Sequence, residues 1–227
     1  MPESASGQVD EIVRFARATL SSAVLSDTLD SMGLIHQTME GTVRPLDEAL
    51  VLCGRARTGN FRDVYGAEGG DQDLFTGIVE LLDDVHLDDV LVLACGRSGR
   101  IPVWGDIFST AAHGRGSAGC VTDGLIRDAA RIRALPYPVF SAGHGASGTT
   151  GRGVMVSSDI PVRCAGVWVS PGDLVFGDVD GVVVVPQRVE EEAIRQAAAI
   201  AERERDLLDD LRRGLLLAEV YRKYGTL

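Results

Sequence analysis

Residues 89–95, DVLVLAC, and residues 104–140, WGDIFSTAAHGRGSAGCVTDGLIRDAARIRALPYPVF, decide how this chain is read. The first is a near-continuous apolar run, the composition of a strand buried on both faces. In the second, 105–115 reads as a helix and 118–122 as a short strand that stops at Asp123-Gly124. Residues 126–135 read as a helix ended by Pro136 and Pro138, and 139–141 as another short strand. Strand and helix alternate, which is the pattern of a parallel α/β layer.

Upstream, Val9, Ile12, Val13, Phe15, Ala16 and Leu20 recur at helical spacing. Ser21 and Ser22 suit the start of a second helix that carries Ala23, Val24, Leu29 and Met32 and ends at Gly33. Residues 50–58 read as a strand and 71–82 as a helix. Downstream, residues 143–153 form a glycine-rich loop, and the pattern then changes. Short β segments at 154–158, 162–165, 167–170, 174–177 and 182–185 are broken by Pro171-Gly172-Asp173 and by residues 178–181. Proline presets one dihedral and glycine permits positive φ, so these breaks are turns. A charged helix runs from 189 to about 213, and a short tail follows. No repeat or linker divides the chain. It is expected to form one domain over 1–227, with 1–7 frayed and 188–227 a C-terminal helical segment.

The 227 residues include 22 Lys plus Arg against 33 Asp plus Glu, a net charge of -11. That balance disfavours nucleic-acid binding, which needs a basic surface. A small anionic substrate needs only a local positive group. No apolar run approaches the ~18 residues of a membrane span, and residues 1–13 lack the features of a signal peptide. Cys53, Cys95, Cys120 and Cys164 form no C-x-x-C motif and read as buried, reduced thiols. A cytoplasmic location is expected, with no membrane partner.

Two polar clusters stand out, Gly105-Asp106 and Arg127-Asp128, each beside a glycine or a strand end. Alone, each reads as an acid opening a helix, where the dipole favours a carboxylate. Together they suggest a site, because open α/β layers bind ligands at the carboxyl ends of parallel strands. A strand-end carboxylate can hold Mg²⁺ through one direct bond and several waters. A neighbouring arginine can pair with a substrate carboxylate, and helix N–H groups at 105–108 can receive an anion. His144 could line the mouth or simply be a solvated loop residue. His36, His86 and His113 read as structural or exposed. Asp83-Asp84 and Asp88-Asp89 read as a solvated face and a turn.

The chain resembles the RraA-like family, which contains 4-hydroxy-4-methyl-2-oxoglutarate and 4-carboxy-4-hydroxy-2-oxoadipate aldolases and regulators of ribonuclease E activity. Residues 26–30, SDTLD, are similar to the family's early S-D-A-L-D, and 43–46, VRPL, to its I-R-P-L. Trp104-Gly105-Asp106 resembles W-G-[DE], and Asp123-Gly124 with Arg127-Asp128 resembles D-G-x-x-R-D. Pro138-Val139-Phe140 follows at the family's position. Residues 171–173 and 180–186 are similar to the late P-G-D and D-G-V-V-V-V-P, and residues 219–225 to the C-terminal signature.

The resemblance implies a three-layer α/β/β sandwich of the swivelling (phosphohistidine-like) domain type, assembled as a trimer or dimer of trimers. It implies a Mg²⁺- or Mn²⁺-dependent retro-aldol cleavage that releases pyruvate from a small 2-keto acid, with oxaloacetate decarboxylation as a side reaction. In that reading Asp128 ligates the metal and Arg127 stabilises the enolate. The backbone at Gly105, Asp106, Ile107 and Phe108 receives the substrate carboxylate, and Asp106 positions the water that takes the C4 hydroxyl proton. This segment holds no lysine to form a Schiff base, in keeping with a metal route. The alternatives are a binding regulator that inhibits a ribonuclease, or a lyase acting on another 2-keto acid. Two positions depart from the pattern. Arg131 stands where aldolase members carry an acid, three residues after Arg-Asp, which implies an altered metal shell. Ala142 stands where F-A-R-G has its arginine, which implies a change at the distal end of the substrate.

Overall fold

A computed structural model describes residues 10–65 and 71–225, the side chains of 71–74 excepted. The frayed N-terminus expected at 1–7 lies outside these residues. The elements run α1 (Glu11–Thr19), α2 (Ser22–Ser31), β1 (Arg44–Pro45), β2 (Leu52–Asp63), α3 (Asp71–Asp83), β3 (Asp89–Ala94) and β4 (Pro102–Trp104). Then come α4 (Asp106–Gly114), β5 (Gly119–Ile126), α5 (Ala129–Ile132), β6 (Val139–His144), β7 (Gly153–Ser158), β8 (Val162–Cys164) and β9 (Val167–Val169). The chain closes with β10 (Leu174–Asp178), β11 (Gly181–Val185), α6 (Glu190–Arg212) and α7 (Leu217–Tyr224).

Most of the strands join one mixed sheet in the order β1-β6-β5-β3-β2-β10-β11, with β4 added on β5 and β7 on β2. The expected parallel layer is there: β2, β3, β5 and β6 run parallel, and β4 runs parallel to β5. β10 and β11 then pair antiparallel, after turns at Gly172 and Asp180-Gly181. The sheet nearly closes on itself. Met39 N–H donates to Val182 O and Val184 N–H to Gln37 O, both at 2.9 Å. Further along, at Arg44–Pro45, the same segment, as β1, lies against β6.

Alternation along each strand divides the core. Leu91 and Leu93 of β3 face α3 and α4, packing with Leu81, Trp104 and Tyr137. Val90 and Val92 face the other way, onto the β8–β9 hairpin and Val175, Val182 and Val184. Leu174, Phe176, Val183 and Val185 turn outward under α1, α2 and α6, against Leu25, Leu29, Ala193 and Ala197. Each of these larger side chains contributes about 1.5–3 kcal/mol when fully buried. The result is an α/β fold with helices over a near-closed mixed sheet, consistent with the expected α/β/β sandwich.

Four local expectations need correcting. β5 does not stop at Thr122 but runs through Asp123-Gly124 to Ile126, with a register irregularity between Thr122 and Leu125. Asp123 stays inside the strand because its buried carboxylate accepts backbone N–H groups from Cys95, Arg97 and Ala165. Gly124 is needed there because a Cβ would meet Cys95 Sγ at 2.6 Å. The helix expected over 126–135 shrinks to α5: Ile126 belongs to the strand, Arg127 and Asp128 join strand to helix, and residues 133–135 turn ahead of Pro136. The C-terminal tail is instead α7, held on α6 by Lys223 Nζ and Tyr224 OH donating to Asp210 at 2.6 and 3.0 Å. The turn expected at Asp88-Asp89 ends at Asp88; Asp89 begins β3, is buried, and burial pushes its carboxyl above the ordinary range despite a hydrogen bond from His86 N–H.

Candidate active site

Three parallel strands end side by side. Trp104 of β4 pairs with Ile126 of β5, and Ile126 pairs with His144 of β6. The residues that follow are Gly105-Asp106 and Arg127-Asp128, so the two clusters, far apart in sequence, converge at the carboxyl ends of adjacent strands. Arg127 N–H donates to Trp104 O at 2.9 Å, which ties the second cluster to the first through backbone alone.

Gly105 is the N-cap of α4 and supplies no side-chain cap. The first backbone bond into the helix is Ser109 N–H to Gly105 O, at 3.0 Å. The first-turn N–H groups of Asp106, Ile107 and Phe108 therefore have no helical carbonyl of their own; the three residues line the site, and Ile107 N–H serves the Asp106 carboxylate. Below them, buried Trp104 donates its indole N–H to Ser109 Oγ at 2.7 Å, which pins the helix to the strand.

Asp128 is placed otherwise than expected. It is not in the first turn of a helix but just before α5, with φ 59° in the left-handed region and no capping bond. A non-glycine residue there is uncommon and costs about 1–3 kcal/mol, a strain that collects at functional sites. It turns the carboxylate back over Gly105, where a Cβ would come within 2.9 Å of Asp128 Oδ2. Arg127 Nε donates to the same oxygen at 3.1 Å. Arg131, the departure from the family acid, reaches back from α5 and donates Nη1 to Asp106 Oδ2 at 3.0 Å. The Arg131 bond, with Ile107 N–H and a contact from the Asp128 carboxyl group, holds Asp106 below the ordinary carboxylate range.

Two cavities flank the Arg127-Asp128 pair. One, of about 330 Å³, is walled by Phe75, Val79, Trp104 and Phe108, and is bounded by residues 148–150 of the glycine-rich loop. Thr149 Oγ1 fixes that loop by donating to Pro102 O at 2.5 Å. The other, of about 390 Å³, is bordered by His144, Gly145 and Ala146. His144 therefore does line the site's edge, whereas His113 meets Tyr137 edge-on and His86 lies near Asp89. Ala142 lines neither cavity. It borders a separate hollow with Glu40, Arg97 and Asp123, so the lost arginine does not face this site within the chain. All four cysteines are buried and free, and burial pushes Cys53 and Cys95 up to about 12.

Among the described residues no group of three or more His, Cys, Asp or Glu could enclose a metal ion. The carboxylates of Asp128 and Asp106 do fit a hard divalent cation that keeps most of its waters, as Mg²⁺ does when held by one or two carboxylates. Lys223, the only lysine in the chain, is engaged with Asp210 between α6 and α7, so no lysine lines the cavity to form a Schiff base.

Residues 22–184 match the RraA-like family, described as Aldolase/RraA. The chain belongs to that family. It is 34% identical over 192 residues to a protein of Halalkalibacterium halodurans provisionally named a 4-hydroxy-4-methyl-2-oxoglutarate aldolase, covering 84% of this chain and 83% of that one. The crystal structure of RraAS2 of Streptomyces coelicolor, an unusual member of the RNase ES inhibitor RraA protein family, superposes with a TM-score of 0.76 at 30% identity, covering 92% of this chain and 98% of that one. An uncharacterised protein of Pseudomonas syringae pv. tomato superposes with a TM-score of 0.82 at 26% identity, covering 95% and 98%. No helix of this RraA-like chain, among the described residues, is long and apolar enough to cross a membrane.

Gly105, Asp106, Ile107, Phe108, Arg127 and Asp128, the residues the sequence singles out, all line the first cavity. Phe75, Val79, Pro102 and residues 148–150 line it too, unmarked in the sequence. Their only signal was apolar spacing or glycine content, which a core helix and an ordinary loop share.

Proposed function

We propose that this chain is a divalent-cation-assisted carbon–carbon lyase. It releases pyruvate from a 4-hydroxy-2-keto acid such as 4-hydroxy-4-methyl-2-oxoglutarate and decarboxylates oxaloacetate through the same enolate. The observation that carries this reading is the convergence of Asp106, Arg127 and Asp128 on one cavity beside an open helix N-terminus. An inhibitor that acts through its outer surface has no need of that arrangement.

Asp128, with Asp106 beside it, would hold Mg²⁺ or Mn²⁺, which when bound supplies positive charge at the 2-keto oxygen. The substrate carboxylate docks on the first-turn N–H groups of α4. Arg127 is committed to Asp128 through Nε, and its remaining N–H groups bind the keto oxygen. Asp106, kept ionised by Arg131, orients the water that accepts the C4 hydroxyl proton. As that proton leaves, C4 becomes a carbonyl and the C3–C4 pair passes to the pyruvate enolate. Arg127 stabilises the developing charge. A proton returned to C3 completes pyruvate. The working form is a trimer or dimer of trimers in the cytoplasm, with no nucleic-acid or membrane partner.

The test is pyruvate release from oxaloacetate and from 4-hydroxy-4-methyl-2-oxoglutarate, with Mg²⁺ and again with EDTA. Release should require the metal and be lost in Asp128→Ala, while circular dichroism of that variant stays native. Metal-independent release, or wild-type rates in Asp128→Ala, would refute the assignment. The likeness to RraAS2 favours ribonuclease inhibition as the second reading, and absence of release from both substrates would favour it.

A further inference from the structure

The cavity beside Arg127 has its charged side chains at one end only. Phe75, Phe108 and Trp104 form a continuous aromatic wall, with ring centroids 6.5 Å apart for the first pair and 5.7 Å for the second. Val79 and Pro102 extend it. Phe75 and Val79 are left partly open to solvent, although both are large and apolar. The charged groups lining the space are Asp106, Arg127 and Asp128, all at the strand-end side. Residues 1–9, 66–74 and 226–227, whose positions or side chains lie outside the description, contain no Lys or Arg. Those stretches therefore add no Lys or Arg side chain to the far end.

A second substrate carboxylate placed against this wall would lose its hydration without gaining a cationic partner, a heavy cost for an ion. An apolar group placed there would gain by burial and by ring contacts. The space of about 330 Å³ is ample, since an apolar cavity of about 150 Å³ already accepts benzene.

We propose that the preferred substrate is a monocarboxylate, a 4-hydroxy-2-keto acid whose C4 carries an aromatic or branched aliphatic group. The carboxylate and keto group sit at Arg127 and the α4 N-terminus, and the apolar group lies along Phe75, Val79, Trp104 and Phe108. The inference rests on the lyase reading and specifies its substrate class. It sets this chain apart from an enzyme for 4-hydroxy-4-methyl-2-oxoglutarate, whose C4 carries a second carboxylate.

The experiment compares kcat/KM for 4-hydroxy-2-oxo-4-phenylbutanoate, read as benzaldehyde, with that for 4-hydroxy-4-methyl-2-oxoglutarate, with oxaloacetate decarboxylation measured alongside. The phenyl substrate should lead by about tenfold or more. Val79→Lys, a change on an exposed helix face, should shrink or invert that ratio. If oxaloacetate is decarboxylated but the dicarboxylate leads, the inference falls and the lyase reading stands. If nothing turns over, the lyase reading falls, and the cavity is then read by binding of 3-phenylpropanoate against glutarate in ligand-observed NMR. Preference for 3-phenylpropanoate that is lost in Phe108→Ala supports an apolar subsite. Equal or tighter binding of glutarate, as when a second copy fills the cavity, overturns it.

Discussion

Gly105→Ala isolates the geometry of the candidate site from its chemistry. The residue has φ -156° and ψ -174°, extended backbone that alanine adopts freely. The added methyl would lie 2.9 Å from Asp128 Oδ2 and 3.4 Å from Arg127 Cγ. Relaxed contacts between such atoms lie near about 3.5 Å, so the carboxylate oxygen must retreat by roughly half an ångström. The Arg127 Nε bond to that oxygen is already 3.1 Å. The same retreat takes it to about 3.6 Å, beyond a working hydrogen bond. A misplacement of ~1 Å can cost ~100-fold in rate, so half of it predicts about a tenfold fall in kcat/KM. Stability should stay within about 1 kcal/mol of wild type, because alanine also lowers the entropy of the unfolded chain.

The companion variant is Gly124→Ala. Its methyl would meet Cys95 Sγ at 2.6 Å and Ile101 O at 3.1 Å inside the core, and overpacking there costs about 1–3 kcal/mol. The assay is pyruvate release from oxaloacetate over a Mg²⁺ series, with urea unfolding of both variants. Gly105→Ala should lose rate and keep stability; Gly124→Ala should lose stability. Wild-type kcat/KM in Gly105→Ala would refute the placing of the Asp128 carboxylate in the reaction.

Arg131→Glu restores an acid at the position where the resemblance expects one. It should tighten Mg²⁺ binding and weaken inhibition by oxalate, and calorimetry showing no change in either would remove Arg131 from the site's charge balance. Arg55 on β2 bridges Asp10 at the start of α1 and Glu190 at the start of α6. Arg55→Met leaves the buried Glu190 unpaired and should cost about 3 kcal/mol, or roughly 6–12 °C in Tm; a Tm within 2 °C of wild type, by differential scanning calorimetry, would contradict the bridge. Asp210 is held below its ordinary 3.8, first by Lys223 and then by Tyr224. A depressed carboxylate stabilises the fold above its unfolded pKa and loses that contribution as pH falls through the folded one. The Tm gap between wild type and Asp210→Asn should therefore be full above about pH 4 and close below the depressed value. A gap unchanged at pH 2 would be inconsistent with the pairing.

The strand at β3, the helix α4 and the turns of the β10–β11 hairpin were legible because one period, or one proline and glycine, decides each of them. β4 was not, because three residues beginning with proline carry no periodicity and pair only through β5. The extension of β5 through Asp123-Gly124 was hidden for a related reason. That dipeptide is a turn signal locally and becomes strand only when three distant N–H groups satisfy the carboxylate. Asp106 and Asp128 were visible as acids at element boundaries. The left-handed backbone at Asp128 and the reach of Arg131 to Asp106 had no local trace, since both depend on how α5 sits over α4.

What was hidden has a consequence for the site. Asp106 and Asp128 are positioned by backbone: Trp104 lies beside Ile126, and Arg127 N–H closes onto Trp104 O. None of these bonds uses a side chain at the rim. The residue at 131 can therefore change while the backbone of Asp106 and Asp128 keeps its place, although Asp106 loses its Arg131 bond. With Arg131, two acids and two arginines cancel; an acid there would leave the same frame with two net negative charges. Charge at position 131 thus sets the balance between cation and anion at this site, and the β4–β5 backbone, untouched by it, sets the geometry.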